Sequence, residues 1–224
     1  MDTHDMALIE QCAAIDSSTW SDALDQLNIA GVVEGLTQRS GAGRMCGFAV
    51  TVRQVPGQLH DFEKADFAVD RLIEMTGPGR VLVIDVGGQP ISTLGGLASL
   101  AARQREAGGV LIDGGCRDLD EIRATGLWLA SRWVTPRTGK GRLRTQQLGE
   151  LVSVGGIRIA PGDLIVGDNT GIVVIPQERL LEVLEGAKRI LAVDKDVEAR
   201  LQRGETFGEA ARATGYIPGR KGQA

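Results

Sequence analysis

Short apolar runs alternate with glycine-rich breaks along most of the chain, which predicts alternating strands and helices. Val81–Ile84 and Val110–Ile112 are continuous apolar runs, typical of strands buried on both faces of a parallel sheet. Apolar residues recur every three or four positions over Leu59–Thr76 and over Gln177–Arg203, which predicts two amphipathic helices. A shorter helix that follows Gly95-Gly96 links the two strands, so the order predicts a βαβ unit in an α/β fold.

The remaining segments extend this α/β pattern. We expect helical structure over Met6–Leu27, interrupted by the cap signal Asp16–Thr19, and a strand over Met45–Gln54. A tight turn at Asp168–Gly171 between two apolar runs predicts an antiparallel meander. Residues 1–224 are expected to form a single domain, with a C-terminal helix and tail from about residue 177.

The stretch Gly108–Asp118 combines a strand with charged residues. We expect its apolar run to break at Gly114-Gly115 and to place Arg117 and Asp118 on the next turn. Ligands of open α/β sheets bind at the carboxyl ends of strands, which favours a site here. A second interpretation stays open, in which Asp118 only caps the helix that begins at Leu119.

A second candidate feature is the glycine pair that precedes the linking helix. Gly95 and Gly96 leave backbone amides unpaired and unobstructed, which favours an anion, a carboxylate as much as a phosphate. Because both features belong to one βαβ unit, we expect the amides of Gly95–Leu97 and the pair Arg117–Asp118 to flank one crevice.

Composition restricts the functional class. The 224 residues carry a net charge of −4, and the basic residues are scattered except for Arg132–Arg144, which disfavours binding to nucleic acid. The basic segment Thr135–Leu148 is interpreted as a surface loop, with an anion-steering or lid role as the alternative. No run of about 18 apolar residues and no signal-like N-terminus is present, so we expect no membrane association and a cytoplasmic location.

Cysteine and histidine usage narrows the chemistry further. Three widely separated cysteines favour reduced thiols, and Cys116 is either a reactive thiolate or a small buried residue. His4 and His60 are the only histidines, which disfavours His-rich zinc sites and Ser-His-Asp triads. A metal here would be held by carboxylates and water, which favours Mg²⁺ or Mn²⁺.

Five blocks carry a resemblance to a known family: Ser18–Leu24, Gly47–Val52, Gly95–Ser99, Gly109–Asp118 and Pro161–Pro176. Through them nearly the whole chain resembles the family that contains metal-dependent 4-hydroxy-4-methyl-2-oxoglutarate aldolases, oxaloacetate decarboxylases and the regulator of ribonuclease E activity. The resemblance implies a layered α-β-β-α sandwich of the swivelling β/β/α type. It also implies homotrimers or homohexamers with sites between subunits.

The resemblance also implies roles for individual residues. Arg117 would bind a 2-oxo acid substrate and stabilise the enolate oxygen, and Asp118 would hold Mg²⁺ or Mn²⁺, partly through water. The backbone amides of Gly95, Gly96, Leu97 and Ala98 would hold the pyruvyl carboxylate. These roles agree with the chemistry, because cleavage next to a 2-oxo acid leaves an enolate whose charge a cation stabilises.

The resemblance also implies two acidic residues, which cannot be assigned to single acids of this chain as directly. An acid from the C-terminal region of a neighbouring subunit would approach the metal; Asp194, Asp196 and Glu198 are the candidates, with Glu198 as our candidate ligand. The aldolase pattern also has an acid twenty-one residues before the arginine, where it helps to activate the water that acts as base. In this chain that position is Gly96.

Three hypotheses follow from these observations. The first is a divalent-metal lyase that releases pyruvate from a 2-oxo acid by aldol cleavage or decarboxylation, and decarboxylation would tolerate the absent acid. The second is the same site with altered chemistry, a hydratase or isomerase, with Asp85, His60 or a neighbouring subunit as source of the base. The third is a non-catalytic regulatory or binding protein of the ribonuclease-regulator branch.

Overall fold

The computed structural model describes residues 3–217 and has a mixed α/β architecture. Its helices are α1 (Thr3–Ala13), α2 (Ser17–Gln26), α3 (Val69–Glu74), α4 (Gly96–Gln104), α5 (Leu119–Thr125), α6 (Leu180–Gln202) and α7 (Phe207–Thr214), with 3₁₀ turns at Lys64–Phe67 and Gln177–Arg179. Its strands are β1 (Thr37–Ser40), β2 (Met45–Pro56), β3 (Arg80–Asp85), β4 (Ser92–Leu94), β5 (Gly109–Cys116), β6 (Leu129–Val134), β7 (Leu143–Leu148), β8 (Val152–Val154), β9 (Ile157–Ile159), β10 (Leu164–Gly167) and β11 (Ile172–Ile175).

Most of the strands form one mixed sheet with the order β1-β6-β5-β3-β2-β10-β11, and β4 and β7 pair with β5 and β2. Its centre is parallel: β2 with β3, β3 with β5, and β5 with β6. The predicted βαβ unit is β3-α4-β5, and the predicted meander is β10-β11, which pairs antiparallel from Leu164↔Ile175 to Gly167↔Ile172. Strands β8 and β9 form a separate hairpin.

Three apolar clusters define the layers. One cluster packs α3, α4 and α5 against β3, β5 and β6, with Leu72, Ile122 and Ile112 fully buried. A second packs α1, α2 and α6 against β10 and β11, around Trp20 and Val183. The third lies between the two halves of the curled sheet and joins side chains of β3, β5 and β6 to those of β10 and β11. The order helix, sheet, sheet, helix confirms the predicted α-β-β-α layering.

The amphipathic helix predicted over Leu59–Thr76 is wrong over most of its length. The chain forms a 3₁₀ turn at Lys64–Phe67, and the α-helix extends only over Val69–Glu74. Ala68 separates them in a left-handed conformation (φ 45°), which interrupts helical hydrogen bonding. The apolar spacing still selected buried residues, since Phe67, Leu72 and Ile73 enter the core.

The break predicted at Gly114-Gly115 is also wrong, because β5 continues through both glycines to Cys116. A Cβ on Gly114 would stand 2.7 Å from Val86 Cγ2, and one on Gly115 would stand 3.0 Å from the carbonyl oxygen of Ile91. The glycines therefore permit close packing within a strand, and charge is presented only after Cys116.

The C-terminal prediction is confirmed by α6, which covers Leu180–Gln202 within the range expected for it. The segment predicted as a basic loop contains strand β7, which pairs antiparallel with β2. The expected tail beyond residue 217 lies outside the described residues. Over residues 3–217, no helix has the length and apolarity needed to cross a bilayer.

Candidate functional site

Asp118 lies between β5 and α5, and its side chain does not cap the helix that it precedes. Its backbone is left-handed (φ 53°), and no side-chain cap hydrogen bond forms at α5. The carboxylate turns instead toward α4, where Oδ2 accepts a hydrogen bond of 3.2 Å from the amide of Gly96. Geometry therefore decides against the capping interpretation.

Arg117 forms an ion pair with its neighbour, with 3.5 Å between Arg117 Nε and Asp118 Oδ2. The backbone of Arg117 is fixed by a hydrogen bond of 3.0 Å from its amide to the carbonyl oxygen of Leu94. The two side chains are 38% and 40% exposed, so both charges remain accessible to a ligand and neither is buried without a partner.

The N-terminus of α4 supplies backbone donors beside this ion pair. Gly95 is the N-cap, with an extended backbone, and Ser99 donates the first helical hydrogen bond to its carbonyl oxygen. The amide of Gly96 binds Asp118, whereas the amides of Leu97 and Ala98 have no acceptor among residues 3–217. Free amides at a helix N-terminus favour a carboxylate or another anion.

These groups line one cleft of about 540 Å³. Gly95, Leu97, Ala98, Arg117 and Asp118 all lie on its wall. The structure therefore brings together every site residue predicted at the start of α4 and after β5 except Gly96, which lies beneath the surface. The rest of the wall is formed by Phe67, Val69, Asp70, Ile73, Glu74, Ser92, Thr93, Ala101, Arg105, Thr138 and Lys140.

Sequence reasoning missed Lys140 as a cleft residue. It belongs to the basic segment that was interpreted as a loop or an anion-steering element, and its side chain is exposed. The signal was the local excess of positive charge, but the separation of Lys140 from Arg117 along the chain hid their shared position on the cleft wall. The isolated bridge Ser92↔Thr138 brings this segment to the cleft.

The three C-terminal acids lie on α6, and none of them lines this cleft in the same chain. Asp196 pairs with Arg200, and Glu198 accepts a hydrogen bond from Gln202. The pKa of Asp194 is raised by its burial and by the nearby Asp16 and Asp22. A contribution of Glu198 from a neighbouring subunit stays a prediction.

The two bases suggested for altered chemistry are not in the cleft. Asp85 is buried, and its carboxylate accepts hydrogen bonds from the amides of Gly87 and Ser153. The adjacent residue Ile84 faces the helices α3 to α5, so Asp85 faces the opposite side of β3. His60 lies on an exposed loop, outside the cleft wall.

Cys116 directly precedes the site, but it does not supply a nucleophile. The thiol is buried and shares a contact of 3.4 Å with Ser131 Oγ. Burial raises its pKa, and the contact with Ser131 only partly opposes that effect. A thiol with a raised pKa is a poor nucleophile, so Cys116 is a packing residue.

The donor set around Asp118 suits a hard divalent cation. Mg²⁺ takes one or two carboxylates and keeps several waters, which leaves positions for substrate oxygens. Asp118 offers one partly exposed carboxylate next to the cleft. No group of three His, Cys, Asp or Glu residues able to hold a metal occurs within residues 3–217, so a bound cation would take its other ligands from water, substrate or another subunit.

A larger groove of about 990 Å³ runs along the edge strand β1 and the turn at Asp168–Ile172. Its ionisable groups are occupied by internal contacts: Arg39 donates to the carbonyl oxygen of Arg132, and Asp168 accepts hydrogen bonds from Ser17. Because this groove offers few free functional groups, we place the candidate site in the smaller cleft.

Sequence comparison finds a family profile that covers most of the chain. The profile of the RraA-like family, described as Aldolase/RraA, matches residues 17–174. Protein MJ0644 of Methanocaldococcus jannaschii, which is uncharacterised, is 37% identical over 55% of this chain. Protein DlpA of Legionella pneumophila is 28% identical over 91% of this chain. The chain spans 59% and 33% of the lengths of these two relatives.

A third relative, from Halalkalibacterium halodurans, carries the provisional name 4-hydroxy-4-methyl-2-oxoglutarate aldolase. It is 31% identical over 87% of this chain and 89% of its own length. Among solved structures, an uncharacterised protein from Pseudomonas syringae superimposes with a TM-score of 0.82 at 27% identity, covering 92% of this chain and 93% of its own. RraAS2 of Streptomyces coelicolor, described as an unusual member of the RNase ES inhibitor RraA family, gives a TM-score of 0.79 at 25% identity, covering 88% and 98%.

Proposed function

This chain belongs to the Aldolase/RraA family, and from that premise we propose that it is a carbon–carbon lyase that releases pyruvate from a 2-oxo acid with the aid of Mg²⁺ or Mn²⁺. The observation that carries the proposal is the arrangement of the cleft. Arg117, Asp118 and the free amides of Leu97 and Ala98 line the same 540 Å³ space, next to a helix N-terminus.

The proposed roles follow from charge. The amides of Leu97 and Ala98 bind the substrate carboxylate, because the helix N-terminus carries partial positive charge. The guanidinium of Arg117 donates to the oxo oxygen and stabilises the negative charge that develops there as the enolate forms. Removal of one donor of this kind typically lowers kcat by about 10²–10³-fold.

Asp118 would hold the divalent cation, which supplies Lewis-acid stabilisation of the same developing charge. The hydrogen bond from Gly96 orients the Asp118 carboxylate, and Arg117 approaches its Oδ2 atom. Loss of a hydrogen bond that orients a metal ligand typically lowers metal affinity or activity by about 10–100-fold. We further propose that the active form is a homotrimer or homohexamer, in which Glu198 of a neighbouring subunit completes the site.

A second candidate function is regulation without catalysis, favoured by the likeness to RraAS2 and by the glycine at position 96. Ordered presentation of Arg117 and Asp118 in an accessible cleft favours the enzyme, because a purely regulatory surface does not require an anion site.

The test is pyruvate release from a panel of 4-hydroxy-2-oxo acids and oxaloacetate, with and without Mg²⁺ or Mn²⁺. The proposal predicts cation-dependent pyruvate release from at least one member of the panel. Turnover of these substrates without pyruvate would favour a hydratase or isomerase. Absence of any turnover, together with no Mn²⁺ binding by calorimetry, would favour the regulatory candidate.

A further inference from the structure

We propose that Glu121 is the proton acceptor of the lyase, a further catalytic residue that removes the hydroxyl proton of a 4-hydroxy-2-oxo acid substrate during aldol cleavage. This inference rests on the proposed function. It is carried by a close approach between α5 and α4 beside Asp118.

Glu121 stands in the first turn of α5, three residues after Asp118, and it faces the start of α4. Its Cβ lies 2.6 Å from the point where a Cβ on Gly96 would stand, and its Cγ lies 3.4 Å from that point. The Cβ of Asp118 is 3.7 Å from the same point. The side chain of Glu121 thus begins beside Asp118, which lines the cleft.

The carboxylate of Glu121 is free to react. Asp118 is engaged by the amide of Gly96 and by Arg117, and Asp120 lies 3.8 Å from Arg123. Glu121 is exposed and forms no hydrogen bond or ion pair with any other described residue. A general base must reach the substrate directly or through one water, and an exposed, unpaired glutamate one helical turn after Asp118 has the required freedom.

The approach also explains why residue 96 is a glycine. A Cβ–Cβ distance of 2.6 Å is not tolerated, and Cβ of Glu121 moves only if the α5 backbone moves. Gly96 has no positive φ, so its backbone conformation does not itself require glycine. The two positions therefore exclude one another: a carboxylate can reach this region from α4 or from α5, and this chain supplies it from α5.

In the proposed aldol cleavage, Glu121 takes the proton of the C4 hydroxyl, the oxygen electrons form a new carbonyl group at C4, and the C3–C4 bond breaks. The electron pair of that bond becomes the pyruvate enolate, whose oxygen Arg117 stabilises. A proton then returns from Glu121 to C3 and gives pyruvate. Decarboxylation of oxaloacetate removes no hydroxyl proton, and its enolate takes the C3 proton from water, so that reaction does not need Glu121 as proton acceptor.

The experiment compares Glu121→Gln with the matched control Asp120→Asn, a neighbouring acid in the same helical turn. Each variant is assayed for aldol cleavage and for oxaloacetate decarboxylation in the same preparation. In Glu121→Gln the ratio of kcat for aldol cleavage to kcat for decarboxylation should fall about 10²-fold or more, because a general base typically contributes that much to the rate. In Asp120→Asn the ratio should stay within about twofold of the wild-type ratio.

Equal losses on both substrates would overturn the proposal, because they indicate a structural effect, and so would an unchanged ratio. A wild-type protein that releases pyruvate from neither substrate would refute the proposed function instead. A protein active only on oxaloacetate would retain the lyase but refute a role for Glu121.

A second measurement tests the steric argument without activity. Gly96→Ala should lower Tm in the wild-type background but have little further effect in a Glu121→Gly background. The double variant Gly96→Asp/Glu121→Gly should regain at least about tenfold of the aldol activity lost in Glu121→Gly, because it returns a carboxylate to this region. Additive effects on Tm in the two backgrounds would contradict the mutual exclusion.

Discussion

Substitution of Gly95 by alanine tests how closely the site is built, because the new methyl group would displace both charged side chains. A Cβ at residue 95 would overlap Asp118 Oδ2, and it would lie 3.1 Å from Arg117 Nε and 3.2 Å from Arg117 Cγ. The backbone of Gly95 is extended (φ −126°, ψ −169°), so alanine adopts it without strain. The perturbation is therefore confined to the side chains of the ion pair.

Two magnitudes follow for Gly95→Ala. Replacement of glycine at an N-cap by alanine, together with loss of a partly exposed hydrogen bond to a carboxylate, costs about 1–2 kcal/mol of folding free energy. Displacement of the guanidinium that stabilises the enolate costs about 3 kcal/mol in the transition state, which is ~10²-fold in kcat/KM. Activity should thus fall much more than stability.

The assay for Gly95→Ala pairs urea denaturation with pyruvate release. Gly171→Ala is the control, since a Cβ there meets nothing within 4 Å. A kcat/KM in Gly95→Ala within about threefold of the wild-type value, or equal losses of stability and activity in free-energy terms, would contradict a direct effect of residue 95 on the ion pair.

Three further predictions concern other parts of the chain. Burial alone would raise the pKa of Asp168, but hydrogen bonds from Ser17, Thr170 and Gly171 lower it; Asp168→Ala should therefore cost about 2–3 kcal/mol in urea denaturation near pH 7. Because the folded pKa lies below the unfolded value of about 3.9, this stabilisation is complete above that pH and is lost as the pH falls through the folded pKa, so Asp168→Asn should flatten the acid limb of the stability profile. Burial raises the pKa of Cys116, so this thiol should react with iodoacetamide at pH 8 at least ~10²-fold more slowly in the native than in the unfolded protein. Equal rates would contradict its assignment as a packing residue. Lys140 lines the cleft, and Lys140→Met should raise KM about fivefold for substrates with a second carboxylate, because it removes about 1 kcal/mol of attraction between exposed charges. KM for substrates with an uncharged distal group should not change. An equal rise in KM for both kinds of substrate would contradict a contact between Lys140 and the second carboxylate.

The sequence was most informative where burial and chain connectivity act together. The apolar runs of β3 and β5 predicted parallel strands, and the βαβ order placed Gly95 and Arg117 on the same side of the sheet. The parallel strands followed from the spacing of apolar residues, and the shared position of Gly95 and Arg117 followed from the right-handed crossover of a βαβ unit. The same spacing overestimated the length of the helix near Ala68, because the spacing of apolar residues does not show that a single residue has a left-handed backbone.

The rest of the site depends on contacts between distant segments. The role of Asp118 as partner of the Gly96 amide and the position of Lys140 in the cleft arise from tertiary packing. The approach of Glu121 to Gly96 is of the same kind, since it is fixed by the distance between two helices. No local pattern encodes such distances, although a glycine at the start of a helix can signal that another backbone or side chain comes close.

The proposed lyase depends on the Asp118 carboxylate, and this dependence is measured by the kcat/KM for pyruvate release from oxaloacetate in the presence of Mn²⁺ in the wild-type protein, Asp118→Asn and the control Asp120→Asn. The wild-type protein should release pyruvate, and Asp118→Asn should lose at least ~10²-fold, while Asp120→Asn stays within about twofold. Undiminished activity in Asp118→Asn would contradict the role proposed for Asp118.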